Sequence, residues 1–124
     1  MKPMYQVFIA EDEPAALQHL CNIIRIKCQN FQVVGTAENG QEALEQLESF
    51  HPDILITDVK MPVMDGFEAT RRIRTLSKTI PIIALTAFAF EREKEIAKQC
   101  EFTDYVVKPI DIKELKKLIV KVLA

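Results

Sequence analysis

The sequence predicts an α/β fold, a doubly wound five-stranded parallel sheet with five helices, built by residues 1–124 as a single domain. Three observations predict it. Short β-rich runs alternate with longer segments whose apolar residues recur at helical spacing, the rhythm of parallel strands joined by crossover helices. Interior runs such as Asp53-Ile54-Leu55-Ile56-Thr57-Asp58 are mostly apolar and too short for helices, which suits strands covered on both faces. Several of these runs end on a charged or hydroxyl-bearing residue beside loop punctuation, as strand tips do in open α/β sheets.

Taken in order, Tyr5 to Ala10 is the first strand, stopped by Glu11-Asp12-Glu13 and by Pro14 at a helix-start position. Leu17, Leu20, Cys21, Ile24 and Cys28 then form the buried stripe of the first helix. Gln32 to Thr36 is the second strand. Asn39-Gly40 punctuates the turn, and Ala43, Leu44, Leu47 and Phe50 make the inner face of the second helix. Ile54 to Asp58 is the third strand, followed by a Pro- and Gly-marked loop. Phe67, Ala69, Thr70, Ile73 and Leu76 outline the third helix, with Arg71, Arg72 and Arg74 as its solvated side. Pro81 to Leu85 is the fourth strand, ending on Thr86-Ala87. Ala89, Glu93, Ile96, Ala97 and Cys100 leave only a thin apolar seam, so the fourth helix should be the most loosely held. Asp104 to Val107 is a short fifth strand before Lys108-Pro109, and the fifth helix buries Ile112, Leu115, Leu118, Ile119 and Val122.

Composition narrows the function classes. A chain of 124 residues buries about two thirds of the surface it exposes when unfolded, so no covalent staple is needed. The formal net charge of −2 gives no basis for direct nucleic-acid binding by bulk charge. Cys21, Cys28 and Cys100 read as buried thiols of a reducing compartment. Cys21 and Cys28 would lie roughly 10 Å apart on one helix, too far for a disulfide, and His19 and His51 do not complete a zinc set. No signal peptide precedes the first strand, and no apolar run approaches the ~20 residues of a membrane span, so the expected location is cytoplasmic, with no membrane partner.

In a doubly wound sheet the C-terminal ends of the strands share one rim. Reading off those ends predicts that Glu11, Asp12, Asp58, Thr86 and Lys108 face one another. Crowded carboxylates raise each other's pKa unless a cation compensates. Mg²⁺, an oxygen-seeking ion often held by one or two carboxylates plus a phosphate oxygen, fits such a cluster. With Lys108 as a point charge and Thr86 as a hydroxyl donor, the pattern suits phosphoryl transfer to Asp58 as nucleophile.

These residues resemble the receiver domain of two-component response regulators along nearly the whole chain. The resemblance rests on Glu11-Asp12 after the first strand, Asp58 with Met61-Pro62-Val63-Met64-Asp65-Gly66, Thr86-Ala87 after the fourth, and Lys108-Pro109 after the fifth. It implies a flavodoxin-like strand order 2-1-3-4-5. It also implies that Asp58 accepts a phosphoryl group from a sensor histidine kinase or histidine phosphotransfer protein. Mg²⁺ would be held by Asp12, Asp58 and the backbone carbonyl of Lys60, with Glu11 acting through water. A cis peptide bond is implied at Lys108-Pro109, and a switch in which Thr86 moves toward the phosphoryl group while Tyr105 turns inward. The surface of the fourth helix, fifth strand and fifth helix would then address an output domain or downstream protein, or pair two copies. Such a domain is a signalling phosphoacceptor rather than an enzyme, and a transcription-factor output is one continuation consistent with the Met-led start.

Four residues depart from the usual pattern. Glu11 replaces the commoner Asp, Glu101 stands where glycine is frequent before the fifth strand, and Lys60 and Phe88 occupy positions that tune dephosphorylation, where a long cation and a ring would slow it. Taken singly, the residues have plainer roles: Asp58 as a turn-former, Thr86 as an N-cap, Lys108 as a surface lysine, Tyr105 as an edge aromatic, Glu13 as a helix-start acid, and Phe88 and Phe90 as packing. Two other functions remain open. An unphosphorylated pseudo-receiver would use the same fold as an interaction module. A phosphatase of the haloacid dehalogenase type also pairs an Asp nucleophile with Mg²⁺, but has a second Asp where this chain has Lys60.

Overall fold

The computed structural model describes residues 4–87 and 101–123. Five parallel strands stand in the order β2-β1-β3-β4-β5: β1 Tyr5–Ala10, β2 Phe31–Ala37, β3 Ile54–Asp58, β4 Ile82–Thr86 and β5 Asp104–Val107. Among the described residues the helices are α1 Pro14–Lys27, α2 Gly40–Leu47, α3 Gly66–Leu76 and α4 Ile112–Leu123. The last of these is the fifth helix of the sequence reading. Its fourth helix, with Cys100, Phe88 and Phe90, falls outside the described residues.

Side-chain alternation divides the core into two layers. Val7, Ile9, Ile54, Ile56, Ile83 and Leu85 point toward α1 and α4, where Leu20, Ile24, Leu115 and Ile119 meet them. Phe8, Ala10, Leu55 and Ile82 point the other way, onto Leu44, Leu47, Ala69 and Ile73 of α2 and α3. Central β3 and β4 are buried at every residue, whereas the outer strands β2 and β5 are only partly covered. A strand covered on both faces has no polar side to show, which explains the nearly unbroken apolar runs.

Local chemistry sets the helix starts. Pro14 occupies the first turn of α1, where its missing N–H costs no hydrogen bond. Asn39 caps α2 by accepting from the Glu42 N–H at 2.8 Å, and Asp65 caps α3 by accepting from the Glu68 N–H at 2.8 Å. β4 begins at Ile82, because Pro81 has no N–H for the ladder, though its carbonyl accepts from the Leu55 N–H at 2.9 Å. Cys28 is buried, Cys21 half-buried, and both are free thiols. Burial pushes both thiols up from their ordinary pKa.

Two side chains of α3 correct the sequence reading. Arg74, expected on the solvated side, is 5% exposed, and Leu76, expected on the inner face, is 54% exposed. The arginine turns in because backbone acceptors surround it. Its Nε donates to the Glu101 carbonyl at 2.9 Å, and its Nη1 to the Ile80 carbonyl at 2.7 Å and the Ser77 carbonyl at 3.4 Å. Nη2 reaches Thr103 Oγ1 at 3.4 Å, an oxygen that also accepts the Ile82 N–H at 2.9 Å. Glu101 takes up, at φ 63°, the left-handed backbone that glycine adopts without strain.

Candidate functional site

Parallel strands of similar length put their C-terminal ends on one rim, and here the rim gathers acids. Glu11 follows β1 directly and is 1% exposed, Asp12 beside it is exposed, and Asp58 closes β3 in a buried position. One carboxylate oxygen from each of the three lies within 4.8 Å of the others. Lys108, just past β5, brings its Nζ to 3.3 Å from Asp58 Oδ2 and 3.5 Å from Glu11 Oε2. One ammonium therefore faces three carboxylates, and the cluster keeps an excess of negative charge.

Glu11 records that excess. Its carboxyl is pushed up to about 7 by burial, by the Asp58 charge and, less, by Asp12, against the opposing pull of the Glu13 N–H and Lys108. The Glu13 N–H donates to Oε1 at 3.2 Å, while buried Oε2 has no hydrogen-bond partner and is left with the Lys108 ammonium 3.5 Å away. Buried oxygens are seldom left so. An all-oxygen donor set, an unsatisfied carboxylate oxygen and surplus negative charge fit a hard divalent cation such as Mg²⁺.

Thr86 and Lys60 lie on the same rim. Thr86 ends β4, buried, and its carbonyl accepts the Lys108 N–H at 2.7 Å, tying the two strand ends together. The Lys108–Pro109 bond is cis, as the resemblance implied. Tyr105 is half-buried on β5 opposite Ala84, and Lys60 is exposed at the start of the loop after β3. Phe88, expected with Lys60 to slow dephosphorylation, lies outside the described residues.

Glycines fix the backbone around Asp58. A Cβ on Gly66 would stand 2.4 Å from the Asp58 carbonyl oxygen, and the Gly66 N–H donates to the Val59 carbonyl at 3.0 Å. Gly40 donates to the Met64 carbonyl at 2.7 Å, where a Cβ would come within 2.4 Å of that same oxygen. Asn39-Gly40, legible in the sequence only as a turn, thus holds the loop following the site. Its one local signal was Asn39 three residues before Glu42, the spacing of a helix start.

Residues 7–120 match the family model of the response regulator receiver domain. The chain belongs to that family. This receiver is 47% identical over 89 residues to an uncharacterised 14.6 kDa protein of Leptolyngbya boryana, covering 70% of this chain and 68% of that one. It is 39% identical over 110 residues to the transcriptional regulatory protein PdtaR of Mycobacterium tuberculosis, covering 89% of the receiver and 52% of that protein, about half its length. Among solved structures it resembles the receiver domain of the sensor histidine kinase PA1611 of Pseudomonas aeruginosa, with a TM-score of 0.87, 29% identity, and 97% and 98% of the two chains covered. That structure has a magnesium ion coordinated in its active-site cleft. No described helix of the receiver is long and apolar enough to cross a membrane.

Proposed function

We propose that this receiver is a cytoplasmic phosphorylation switch in which Asp58 takes a phosphoryl group from the phosphohistidine of a sensor kinase or phosphotransfer protein. The observation that carries the reading is the Lys108 ammonium 3.3 Å from Asp58 Oδ2 inside a buried acidic cluster. Asp12, Asp58 and the Lys60 carbonyl would hold Mg²⁺ directly, with Glu11 acting through water. When bound, the ion neutralises charge on phosphoryl oxygens.

An Asp58 oxygen forms the new O–P bond as the donor's N–P bond breaks, and the histidine nitrogen keeps that electron pair. The buried setting of Asp58 strengthens the field it feels and limits access by water. Lys108 supplies positive charge to a phosphoryl oxygen, and the Thr86 hydroxyl donates to another. Drawing Thr86 toward the new group loosens the space beside β5, into which Tyr105 turns. The altered surface at β5 and α4 then addresses an output domain or protein, or a second copy. The domain turns over no external substrate in this reading.

Incubation with Mg²⁺ and acetyl phosphate, followed by mass measurement, should give one phosphoryl adduct that hydroxylamine removes and Asp58→Asn abolishes. No adduct from either acetyl phosphate or a histidine donor would instead favour a pseudo-receiver. Sustained hydrolysis of an external phosphate ester would indicate a phosphatase.

A further inference from the structure

The opposite rim, away from Asp58, carries a groove of about 520 Å³ between the C-terminal ends of α2 and α3. Leu47, Phe50, Ile73, Leu76 and Ile80 contribute its apolar lining. Leu76 is the outlier on α3, left 54% exposed where the helix could have ended on a polar residue. The α2 side of this lining is acidic. Exposed Glu45 and Glu48 lie about one turn apart toward the C-terminal end of α2, Asp53 follows with one carboxylate oxygen accepting the Gln6 N–H, and residues 41–53 hold neither lysine nor arginine. Glu48 and Asp53 themselves line the groove.

We propose that this groove is a docking surface for a basic amphipathic helix of a partner protein. An amphipathic helix presents apolar anchors at i, i+3, i+4 and i+7 to such a groove. Here those anchors pack on Phe50, Leu76 and Ile80, and its cationic edge lies along α2, facing Glu45 and Glu48. Exposed Lys78 follows α3 on the other side, so the charge distribution also fixes which edge of the helix faces which wall. Part of the floor is held firmly. Ser77 and Ile80 both line the groove and offer their carbonyls to the buried Arg74 guanidinium. A preformed floor lowers the ordering cost of binding. The surface shares no residue with the acidic cluster, so it is independent of the phosphoryl-transfer reading.

The test uses a fluorescein-labelled peptide with leucines at i, i+3, i+4 and i+7 and lysines along one flank, titrated with the full chain by anisotropy and mapped by amide NMR shifts. The expected shifts fall on Leu47, Phe50, Leu76 and Ile80. Leu76→Ser, and separately the pair Glu45→Lys with Glu48→Lys, should each weaken binding at least about tenfold. These substitutions fall on exposed positions, and unchanged thermal unfolding would show that the variants fold. Four results overturn the proposal: shifts centred on Glu11 and Asp12, equal binding of the glutamate counterpart peptide, unaltered affinity of both variants, or groove shifts produced by protein concentration alone, which would make a second copy the occupant.

Discussion

At the scale of single residues, Glu11 and Val63 hold the least comfortable positions. The Glu11 carboxyl, raised from 4.5 to about 7, takes up a proton on folding between those two values. Its contribution to stability is therefore fully present below about 4.5 and lost as pH rises through about 7, the reverse of an ordinary ion-paired carboxylate. In EDTA, urea unfolding should show wild type losing on the order of 2–3 kcal/mol relative to Glu11→Gln across that window. Parallel profiles would mean that neither burial nor the neighbouring Asp58 charge raises the Glu11 carboxyl as the geometry implies. Val63 is a β-branched residue at φ 67° and 84% exposed. It has a left-handed backbone with no buried contact to compensate. Val63→Gly should raise stability by about 0.5–1 kcal/mol despite the freer unfolded chain, while Val63→Ala, still bearing a Cβ, should gain less.

Among the elements, α3 shows best where sequence patterning stops being informative. Ile73 and Ala69 follow helical spacing into the core, and the existence of α3 was legible from that stripe. Arg74 and Leu76 were not. Their orientations depend on what lies beyond the helix: three carbonyls and a hydroxyl from the α3–β4 turn and the approach to β5 surround Arg74, and two of these, from Glu101 and Thr103, are distant in sequence. The tips of β1, β3, β4 and β5 could be read because parallel topology alone brings them together, whereas the close approach of Gly40 to the Met64 carbonyl is a contact between loops that no periodicity encodes. Arg74→Met should cost about 3 kcal/mol in urea unfolding, because it leaves inward-facing carbonyls unpaired. Arg74→Lys should recover only a minor part, since one ammonium cannot span acceptors on both sides of a planar fork. If methionine is tolerated at under about 1 kcal/mol, the turns hold themselves and the guanidinium merely fills space.

For the whole molecule, the two rims divide the work. The sheet's buried centre, β3 and β4, connects an acidic rim that is electrostatically strained to an opposite rim braced by Arg74 and lined with apolar side chains. A rigid parallel sheet lets the first rim keep like charges close, since the strands cannot separate to relieve repulsion without exposing both core layers. Relief must come from a proton on Glu11, from Lys108, or from a bound cation. A ligand that binds only the folded state stabilises it by mass action, by about 1.4 kcal/mol at ten times its dissociation constant. For a domain of this size that corresponds to roughly 4–6 °C in thermal midpoint. Mg²⁺ at neutral pH should therefore raise the midpoint by that order, and Asp12→Ala should abolish most of the increase while leaving the metal-free midpoint unchanged or higher, since it removes one repelling acid from an exposed position. A midpoint that rises equally in wild type and Asp12→Ala would place the cation elsewhere on the surface and remove the acidic rim's claim to it.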